Sequence, residues 1–169
     1  TPSIVNDSAT TPEDTPVPID VLDNDDPGSE GPLTITEING TPISPASPVT
    51  ILDPVTGLPQ GTVRLVDGGN ADPADDFLEF VPAPGFNGTV EPFTYTVEDR
   101  LGNELEGTVN VTVIPANDPP VATDDSTVTP ANTPVSVDVL GNDSDPDGDP
   151  LTISEVNGSP ITEGGPAIP

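Results

Sequence analysis

The feature that most constrains this chain is an internal repeat with a displacement of 118 residues. The stretch VPIDVLDND beginning at Val17 recurs as VSVDVLGND at Val135, and PLTITEINGTPI beginning at Pro32 recurs as PLTISEVNGSPI at Pro150. Aligned without a gap, residues 2–51 and 120–169 are identical at 23 of 50 positions. Repetition at a fixed period indicates an array of similar units. The sequence therefore predicts one complete repeat, residues 1–118, and the N-terminal part of the next, residues 119–169, within a longer protein.

Inside the complete repeat, short apolar and threonine-rich runs alternate with clusters of proline, glycine, asparagine and aspartate. Runs of this length between turn-forming residues are typical of antiparallel strands. Alternation is clearest at Phe93, Tyr95 and Val97, whose side chains we expect on one face of a sheet. We predict strands at 4–9, 17–22, 33–38, 61–66, 77–81, 90–97 and 107–114, with an edge strand at 49–52. This pattern favours an all-β, Greek-key β-sandwich.

Composition excludes several classes of function. Thirty acidic residues face only two basic ones, Arg64 and Arg100, so the net charge is -28 and a nucleic-acid partner is not expected. The chain contains no histidine, cysteine or lysine, so it lacks the residues of catalytic triads, Schiff bases, zinc clusters and disulfides. Catalysis would rest on carboxylates alone, and nothing distinguishes one pair from another, so we do not expect an enzyme. No apolar run approaches the ~18 residues of a membrane span, so membrane insertion is not expected either.

The acidic residues are concentrated in particular loops. In a sandwich, alternate loops share a pole, so the loops after the second, fourth and sixth predicted strands lie where the chain enters. These loops and the start of the chain hold Asp7, Asp23, Asp25, Asp26, Glu30, Asp67, Asp72, Asp75, Asp76, Glu98 and Asp99. Carboxylates gathered at one pole repel one another, so a cation is expected among them.

The second repeat carries the most specific acidic motif, NDSDPDGDP, with Asp143, Asp145, Asp147 and Asp149 at alternate positions. Oxygen ligands at this spacing suit Ca²⁺, which takes six to eight of them in tolerant geometry. The motif is not an EF-hand loop, because no helices flank it and no glutamate follows at the twelfth position. The first-repeat loop is less regular, with Glu30 as a substitute ligand. The alternative interpretation is that these residues form turns and keep a secreted surface soluble.

Together these motifs resemble the cadherin-like tandem repeats of large bacterial surface proteins, of the VCBS and RTX-adhesin extender type. The matching stretches are TPEDTPVPIDVLDND (11–25), FVPAPGFNGTVEPFTYTVEDRLGN (80–103) and NDPPVATDDSTVTPANTPVSVDVLGNDSDPDGDPLTI (117–153). The resemblance implies an Ig-like (cadherin-like) sandwich, secretion to a bacterial cell surface, and calcium bound where consecutive domains meet.

By the same resemblance, Asp99 is similar to the ligand from the last inter-strand loop, and Asn117 with Asp118 is similar to the cadherin linker pair. The residues 80–88 carry no acidic triplet of the cadherin kind, so we expect one or two ions at each junction and not three. The full set of expected calcium ligands is Asp25, Asp26, Glu30, Asp99, Asn117, Asp118, Asp124, Asp125, Asp143, Asp145, Asp147 and Asp149.

The function that we expect is mechanical: a calcium-stiffened extender repeat in the stalk or fibre of a secreted adhesin. Its partners would be neighbouring repeats of the same chain, with identical chains in a fibre as a further candidate. One alternative is a carbohydrate- or protein-binding accessory module, although core packing accounts for the few aromatic residues. Another is a filament subunit formed by strand exchange.

Overall fold

A computed structural model describes residues 1–29, 31–70 and 72–161. The chain forms two compact units, Thr1–Ala116 and Asn117–Pro169. Unit 1 contains ten strands, namely β1 (Asp7–Pro12), β2 (Val17–Ile19), β3 (Thr34–Ile38), β4 (Thr41–Pro42), β5 (Val49–Leu52), β6 (Pro59–Val66), β7 (Phe77–Pro82), β8 (Gly88–Thr89), β9 (Phe93–Glu98) and β10 (Glu104–Ile114).

These strands form two sheets that enclose one core. The larger sheet has the order β1-β10-β9-β3-β4, with β8 also paired to β10, and the smaller has the order β2-β7-β6-β5. The pairing of β1 with β10 is parallel, and the other pairings are antiparallel. The predicted fold class is confirmed: unit 1 is an all-β, Ig-like β-sandwich. The predicted edge strand at 49–52 is β5, the outer strand of the smaller sheet.

Two aromatic rings join the sheets at the centre of the core. Phe80 of β7 and Phe93 of β9 are fully buried, and their rings stack with centroids 6.5 Å apart. Gly61, on the neighbouring strand β6, makes room for this contact, because a Cβ there would lie 2.2 Å from the Phe80 ring. Burying each aromatic side chain contributes roughly 1.5 to 3 kcal/mol. The strand alternation recognised in the sequence thus builds the core directly.

The first strand begins three residues later than predicted. The segment before it pairs with the loop after β2: Ser3 and Asp26 exchange backbone hydrogen bonds of 2.8 and 2.9 Å, and the Val5 N–H donates to Asp25 Oδ1. The regular ladder starts only at Asp7, which lies opposite Val109. Loop carboxylates therefore compete with the sheet for the first backbone donors.

The last two strands also differ from the prediction. β9 begins at Phe93 and not at residue 90, since Pro92 has no N–H to donate. The Val90 N–H instead bonds to the Val111 carbonyl. β10 begins at Glu104, opposite Glu98, and runs through the glycine at which the predicted strand started. The short strands β4 and β8 and a 3-10 helix at Pro73–Asp75 were not predicted.

Unit 2 repeats local features of unit 1 without its sheets. It has one hairpin, β11 (Glu155–Val156) with β12 (Ser159–Pro160), among its described residues. It also has an isolated bridge between Val121 and Ser144. The described part of the chain contains no helix long and apolar enough to cross a membrane.

Candidate metal site

The end of unit 1 where the chain enters, called here the N-terminal pole, brings together loops that are distant in the sequence. A cleft of about 290 Å³ is lined by Pro32 after β2, Pro73 after β6, and Asp99 and Arg100 after β9. These are the three loops that the alternating-loop argument placed together. The three loops therefore meet at this pole, whereas the binding of a cation by their carboxylates stays a prediction.

A buried tyrosine links this pole to the core. Tyr95 of β9 lies opposite Gly107 of β10, and a Cβ on that glycine would be only 2.4 Å from the tyrosine ring. The glycine therefore lets the ring lie flat over β10. The Tyr95 hydroxyl reaches the pole, within 3.3 Å of the Val5 and Val21 carbonyl oxygens and 3.1 Å from Asp25 Oδ2. The strand pattern predicts Tyr95 only as a core residue, since nothing in that pattern indicates where its hydroxyl ends.

Asp25, a predicted ligand, lies beside this hydroxyl. Its Oδ1 accepts the Val5 N–H at 2.8 Å, and its Oδ2 faces the Tyr95 hydroxyl. Burial raises the pKa of Asp25, although the hydrogen bonds from Val5 and Tyr95 oppose that shift. Asp25 thus fixes the path of the incoming chain and keeps a carboxylate at the pole.

Asp7 is a second carboxylate at the pole, and it was not among the predicted ligands. Its Oδ1 accepts a hydrogen bond from the Asn24 amide at 3.0 Å. Its Oδ2 is buried and accepts no well-formed hydrogen bond among the described residues, although the Tyr95 hydroxyl is near enough to lower the pKa of the carboxyl group. The pKa of Asp7 is raised to about 6: burial is the main cause, hydrogen bonding to Tyr95 and Asn24 opposes it, and the negative charges of Asp25 and Asp20 add to it. A buried carboxylate oxygen without a donor is costly, so this position favours a proton or a cation.

The pKa of the Tyr95 hydroxyl is shifted by burial and by the same negative charge. Burial raises the pKa of the Tyr95 hydroxyl, and the charges of Asp7 and Asp25 add to the shift. Tyr95 therefore stays a neutral hydrogen-bond donor at any ordinary pH. The signal that could have identified Asp7 in the sequence is the repeat itself, because Asp125, which was predicted as a ligand, is its counterpart 118 residues later.

The other first-repeat ligands point into their own turns. Asp26 Oδ1 accepts the Gly28 N–H at 2.8 Å. Asp99 is 4% exposed, and its carboxylate accepts the Leu101 and Asn103 N–H groups and the Asn103 side-chain amide. These hydrogen bonds, that of the Asn103 side chain first, lower the pKa of Asp99. Asp99 therefore closes the turn between β9 and β10. The predicted ligand Glu30 lies outside the described residues.

In unit 2, two predicted ligands organise the alternating loop. Asp145 Oδ1 accepts the backbone N–H groups of Asp147 and Asp149 at 2.9 and 3.3 Å. Asp147 Oδ2 accepts the Asp118 N–H at 2.6 Å. The Gly148 N–H closes the turn on the Asp145 carbonyl. The loop thus gathers its carboxylates around a tight turn.

The remaining predicted ligands of unit 2 lie in its first segment, 117–125, and at Asp143. Asp143 Oδ1 accepts the Thr123 N–H at 2.7 Å. The Asn142 amide lies 3.5 Å from the Asp124 carbonyl oxygen, and the Asn117 amide lies 3.2 Å from the Asp118 carbonyl oxygen. The side chain of Asp125 is exposed.

A separate acidic group surrounds the 3-10 helix and was not among the predicted ligands. Asp67, Asp72 and Asp76 line a cavity of about 250 Å³. Asp75 packs where a Cβ on Gly68 would lie, 2.3 Å from its Cγ. Burial raises the pKa of Asp76, and the three neighbouring aspartates raise it further. Folding thus concentrates charge here although the sequence spacing is irregular.

The carboxylates are near one another but do not form a closed ligand set within either unit. Among the described residues of each unit taken alone, no three carboxylate oxygens lie within 4.8 Å of one another. Asp7 and Asp25 supply carboxylate oxygens of the kind that Ca²⁺ prefers, and the buried oxygen of Asp7 lacks any other partner. The donor chemistry of the N-terminal pole therefore fits a hard cation.

The fold and the repeated acidic loops define the class of protein as a tandem Ig-like repeat. The family model described as "Bacterial Ig domain" matches residues 1–112 and again 117–168. The chain belongs to this family, whose members are typically structural modules without catalytic activity and are commonly extracellular.

Among solved structures, the tandem Ig repeats of Dlar are similar to 73% of this chain and 54% of that chain, with 15% sequence identity and a TM-score of 0.34. The chain thus spans about half the length of that structure. No curated protein sequence matches it.

Proposed function

We propose that this chain is a calcium-stiffened extender repeat, of the cadherin-like kind found in secreted bacterial surface adhesins. The tandem Ig-like units support the role of a spacer, since arrays of such modules serve as spacers. The proposed stiffening by calcium rests on the acidic residues. The single observation that carries it is the buried Asp7 oxygen without a donor, beside Asp25 at the N-terminal pole.

In unit 1, Asp7 and Asp25 would hold the cation, with Asp26 and Glu30 nearby in the chain. A calcium ion at this pole would supply the positive charge that the carboxylates lack. Asp25 also accepts the Val5 N–H, so its carboxylate ties the incoming segment to the pole. A calcium ion that neutralises the Asp7 and Asp25 carboxylates would therefore strengthen the attachment of the chain segment that enters the sandwich.

In unit 2, the corresponding ligands would be Asp125 and Asp143, joined by the alternating residues Asp145, Asp147 and Asp149. The bond from the Asp118 N–H to Asp147 favours this loop as an anchor for the chain that leads into unit 2. Asp99 would take a lesser part, because both of its oxygens already hold its own turn.

A ligand that binds only the folded state stabilises it by RT ln(1 + [Ca²⁺]/Kd). Extracellular modules bind calcium with a Kd of about 10⁻⁴ to 10⁻³ M, so at about 10 mM calcium the gain is about 1 to 3 kcal/mol. Ordering would follow secretion, because calcium is abundant outside cells and scarce inside.

The proposal is tested by calcium titration of the whole chain with reversal by EDTA, monitored by thermal denaturation and small-angle scattering. We expect a higher melting temperature and a larger maximum dimension with calcium, and loss of both with EDTA. Magnesium at the same concentration should change both quantities less than calcium does. A melting temperature and maximum dimension that ignore calcium up to several millimolar would refute the proposal.

Matched variants test whether the calcium-dependent rise in melting temperature depends on Asp7 and Asp25. Asp7→Asn and Asp25→Asn should each reduce the calcium-dependent rise in the melting temperature of unit 1. Asp53→Asn removes the same charge from the exposed turn between β5 and β6, and it should leave the calcium response unchanged. An equal loss in all three variants would mean that net charge, and not a site, governs the response.

A further inference from the structure

Three of the four outer strands of unit 1 carry a feature that blocks pairing with another chain. The outer strands are β1 and β4 in the larger sheet and β2 and β5 in the smaller. Proline interrupts three of them, as Pro12 in β1, Pro18 in β2 and Pro42 in β4. Proline on an edge strand removes a backbone donor and discourages addition of a further strand. Of these four strands, only β5, with the sequence VTIL, contains neither proline nor charge. The short strand β8, which pairs only with β10, also contains neither, but it is two residues long.

The outer edge of β5 is available for pairing. Among the described residues of unit 1, β5 pairs with β6 on one side and with no strand on the other. In an antiparallel ladder, alternate residues direct their N–H and C=O groups away from the neighbouring strand. The strand therefore presents a row of backbone groups to which an extended chain could bond.

The turn that follows β5 is held by internal hydrogen bonds and exposes apolar side chains. Asp53 Oδ1 accepts the N–H groups of Val55 and Thr56 at 2.8 and 2.7 Å. The Asp53 N–H bonds to the Leu58 carbonyl, and the Gly57 N–H bonds to the Asp53 carbonyl. This internal bonding holds apolar side chains outward, with Leu52 50%, Val55 91% and Leu58 65% exposed. Their exposure thus results from a fixed turn and not from a loose one.

Charge distribution indicates what this edge can meet. The segment 38–52, which ends with β5, is the longest stretch of the sequence without a charged residue. Two chains of net charge -28 repel one another over most of their surfaces. Their close approach costs least where both surfaces are uncharged. A second copy that presents the same edge meets this condition over β5 itself, with the Asp53 carboxylate just beyond its end. Antiparallel pairing of identical strands is also two-fold symmetric.

We propose that β5 is a self-association surface, on which β5 of a second copy adds in antiparallel register and joins the two smaller sheets into one continuous sheet. The apolar side chains Leu52, Val55 and Leu58 flank the joined strands. This pairing would connect neighbouring chains side by side, and it does not depend on calcium.

The test is sedimentation velocity of the whole chain between about 10 µM and about 1 mM. The buffer contains EDTA and about 0.5 M sodium chloride, so that the Debye length is only about 4 Å. We expect a monomer of 17.2 kDa at the lowest concentration and a dimer of twice that mass at the highest. Because EDTA is present, failure of the calcium proposal would leave this result unaffected.

Two threonine variants form a matched pair. Thr50 in β5 and Thr10 in β1 are both exposed residues of outer strands. Thr50→Glu places like charges across the two-fold axis and should weaken dimerisation at least about tenfold, whereas Thr10→Glu should have no effect. Leu52→Glu provides a second variant at the same edge if Thr50→Glu melts at a lower temperature than the parent chain.

Three outcomes would overturn the proposal. One is a monomer at every concentration. Another is association that Thr50→Glu and Leu52→Glu leave unchanged, which would place the contact on another surface, such as the apolar residues of unit 2. The third is equal weakening by Thr10→Glu, which would mean that added charge alone prevents association. Hydrogen exchange should show slower exchange of β5 amides in the dimer, with the amides of β1 unchanged.

Discussion

The start of unit 1 and the start of unit 2 have related sequences but differ in how far they fold. Both take the same local turns. In unit 1 the Val5 N–H donates a hydrogen bond of 2.8 Å to Asp25 Oδ1. In unit 2 the corresponding Thr123 N–H donates one of 2.7 Å to Asp143 Oδ1. The hairpin of β3 and β4 recurs as that of β11 and β12.

Backbone angles agree just as closely. The residues Asn39 and Asn157, which occupy the same place in the two hairpins, both have a φ of 49°. Asparagine tolerates this left-handed conformation, and glycine follows it in both copies. Short-range chemistry is therefore sufficient to set the turns wherever the sequence recurs.

The strand ladders and the burial do not recur. Ile35 and Ile38 are 3% and 0% exposed in unit 1, whereas their counterparts Ile153 and Val156 are 43% and 42% exposed in unit 2. In unit 1 these side chains belong to a core that includes residues of β6, β7, β9 and β10. Unit 2 has no counterpart of these strands among its described residues. The difference teaches that turns depend on nearby residues, whereas strands and core depend on partners far away in the chain.

The largest expected effect comes from truncating one core side chain in each copy. Ile35→Ala should lower the free energy of unfolding of unit 1 by about 2 to 4 kcal/mol, because it leaves a cavity in a packed core. Ile153→Ala should change it by less than about 0.5 kcal/mol, since that side chain is largely exposed. The measurement is urea unfolding followed by circular dichroism, which reports on both units. Tyrosine fluorescence reports in parallel on unit 1 alone, because Tyr95 is the chain's only tyrosine and tryptophan is absent. Equal effects would contradict the comparison.

A second prediction concerns a contact that only unit 1 contains. Gly107→Ala should destabilise unit 1 by about 1 to 3 kcal/mol, because the added Cβ would lie 2.4 Å from the Tyr95 ring. The measurement is urea unfolding followed by circular dichroism. Tyr95→Phe in the same background keeps the ring and the clash, so it should not restore stability.

A third prediction compares one hydroxyl in both copies. Thr11 Oγ1 donates to the Thr15 carbonyl at 2.6 Å, and Thr129 Oγ1 donates to the Thr133 carbonyl at the same distance. Thr11 is buried, so Thr11→Val should destabilise unit 1 by about 1 kcal/mol through the unpaired carbonyl. Thr129→Val should have almost no effect, because water can replace the lost donor. Thermal denaturation of both variants makes the comparison.

The smallest expected effect is a dependence on pH in EDTA. The folded-state pKa of Asp7 is about 6, above its ordinary value of 3.8. The folded protein thus takes up this proton before the unfolded chain does, so stability should rise as the pH falls from about 6 to about 4. After allowance for solvent screening, Asp7 contributes about 1 kcal/mol to this rise.

The matched pair for the pH experiment is Asp7→Asn and Asp125→Asn. Asp7→Asn should remove part of the slope of unfolding free energy against pH, and it should stabilise unit 1 at pH 7. Asp125→Asn, at the exposed counterpart, should leave the slope as it is. If the Asp7→Asn chain gained more stability than the parent between pH 6 and pH 4, the sign of the Asp7 shift would be wrong.

Sequence reasoning found the sandwich and most of its strands, but it found only part of the acidic cluster. It identified Asp25 from the turn-forming loop after β2 and predicted that this loop shares a pole with two others. It placed Asp7 at this pole but not among the calcium ligands, because the isolation of its Oδ2 depends on how the first strand pairs with β10. The role of Asp99 as a turn-closing residue also depends on its contacts with Asn103, which spacing alone does not reveal.

The sequence by itself determined the 118-residue period, the turns and the alternation of apolar residues, because these depend on neighbours along the chain or on composition. Tertiary structure alone decided which edge strand lacks protection and which carboxylate oxygen is buried without a donor. Both properties arise where segments distant in the sequence meet. Their energies depend on the loss of water and on the charges that packing places nearby, so no local pattern encodes them.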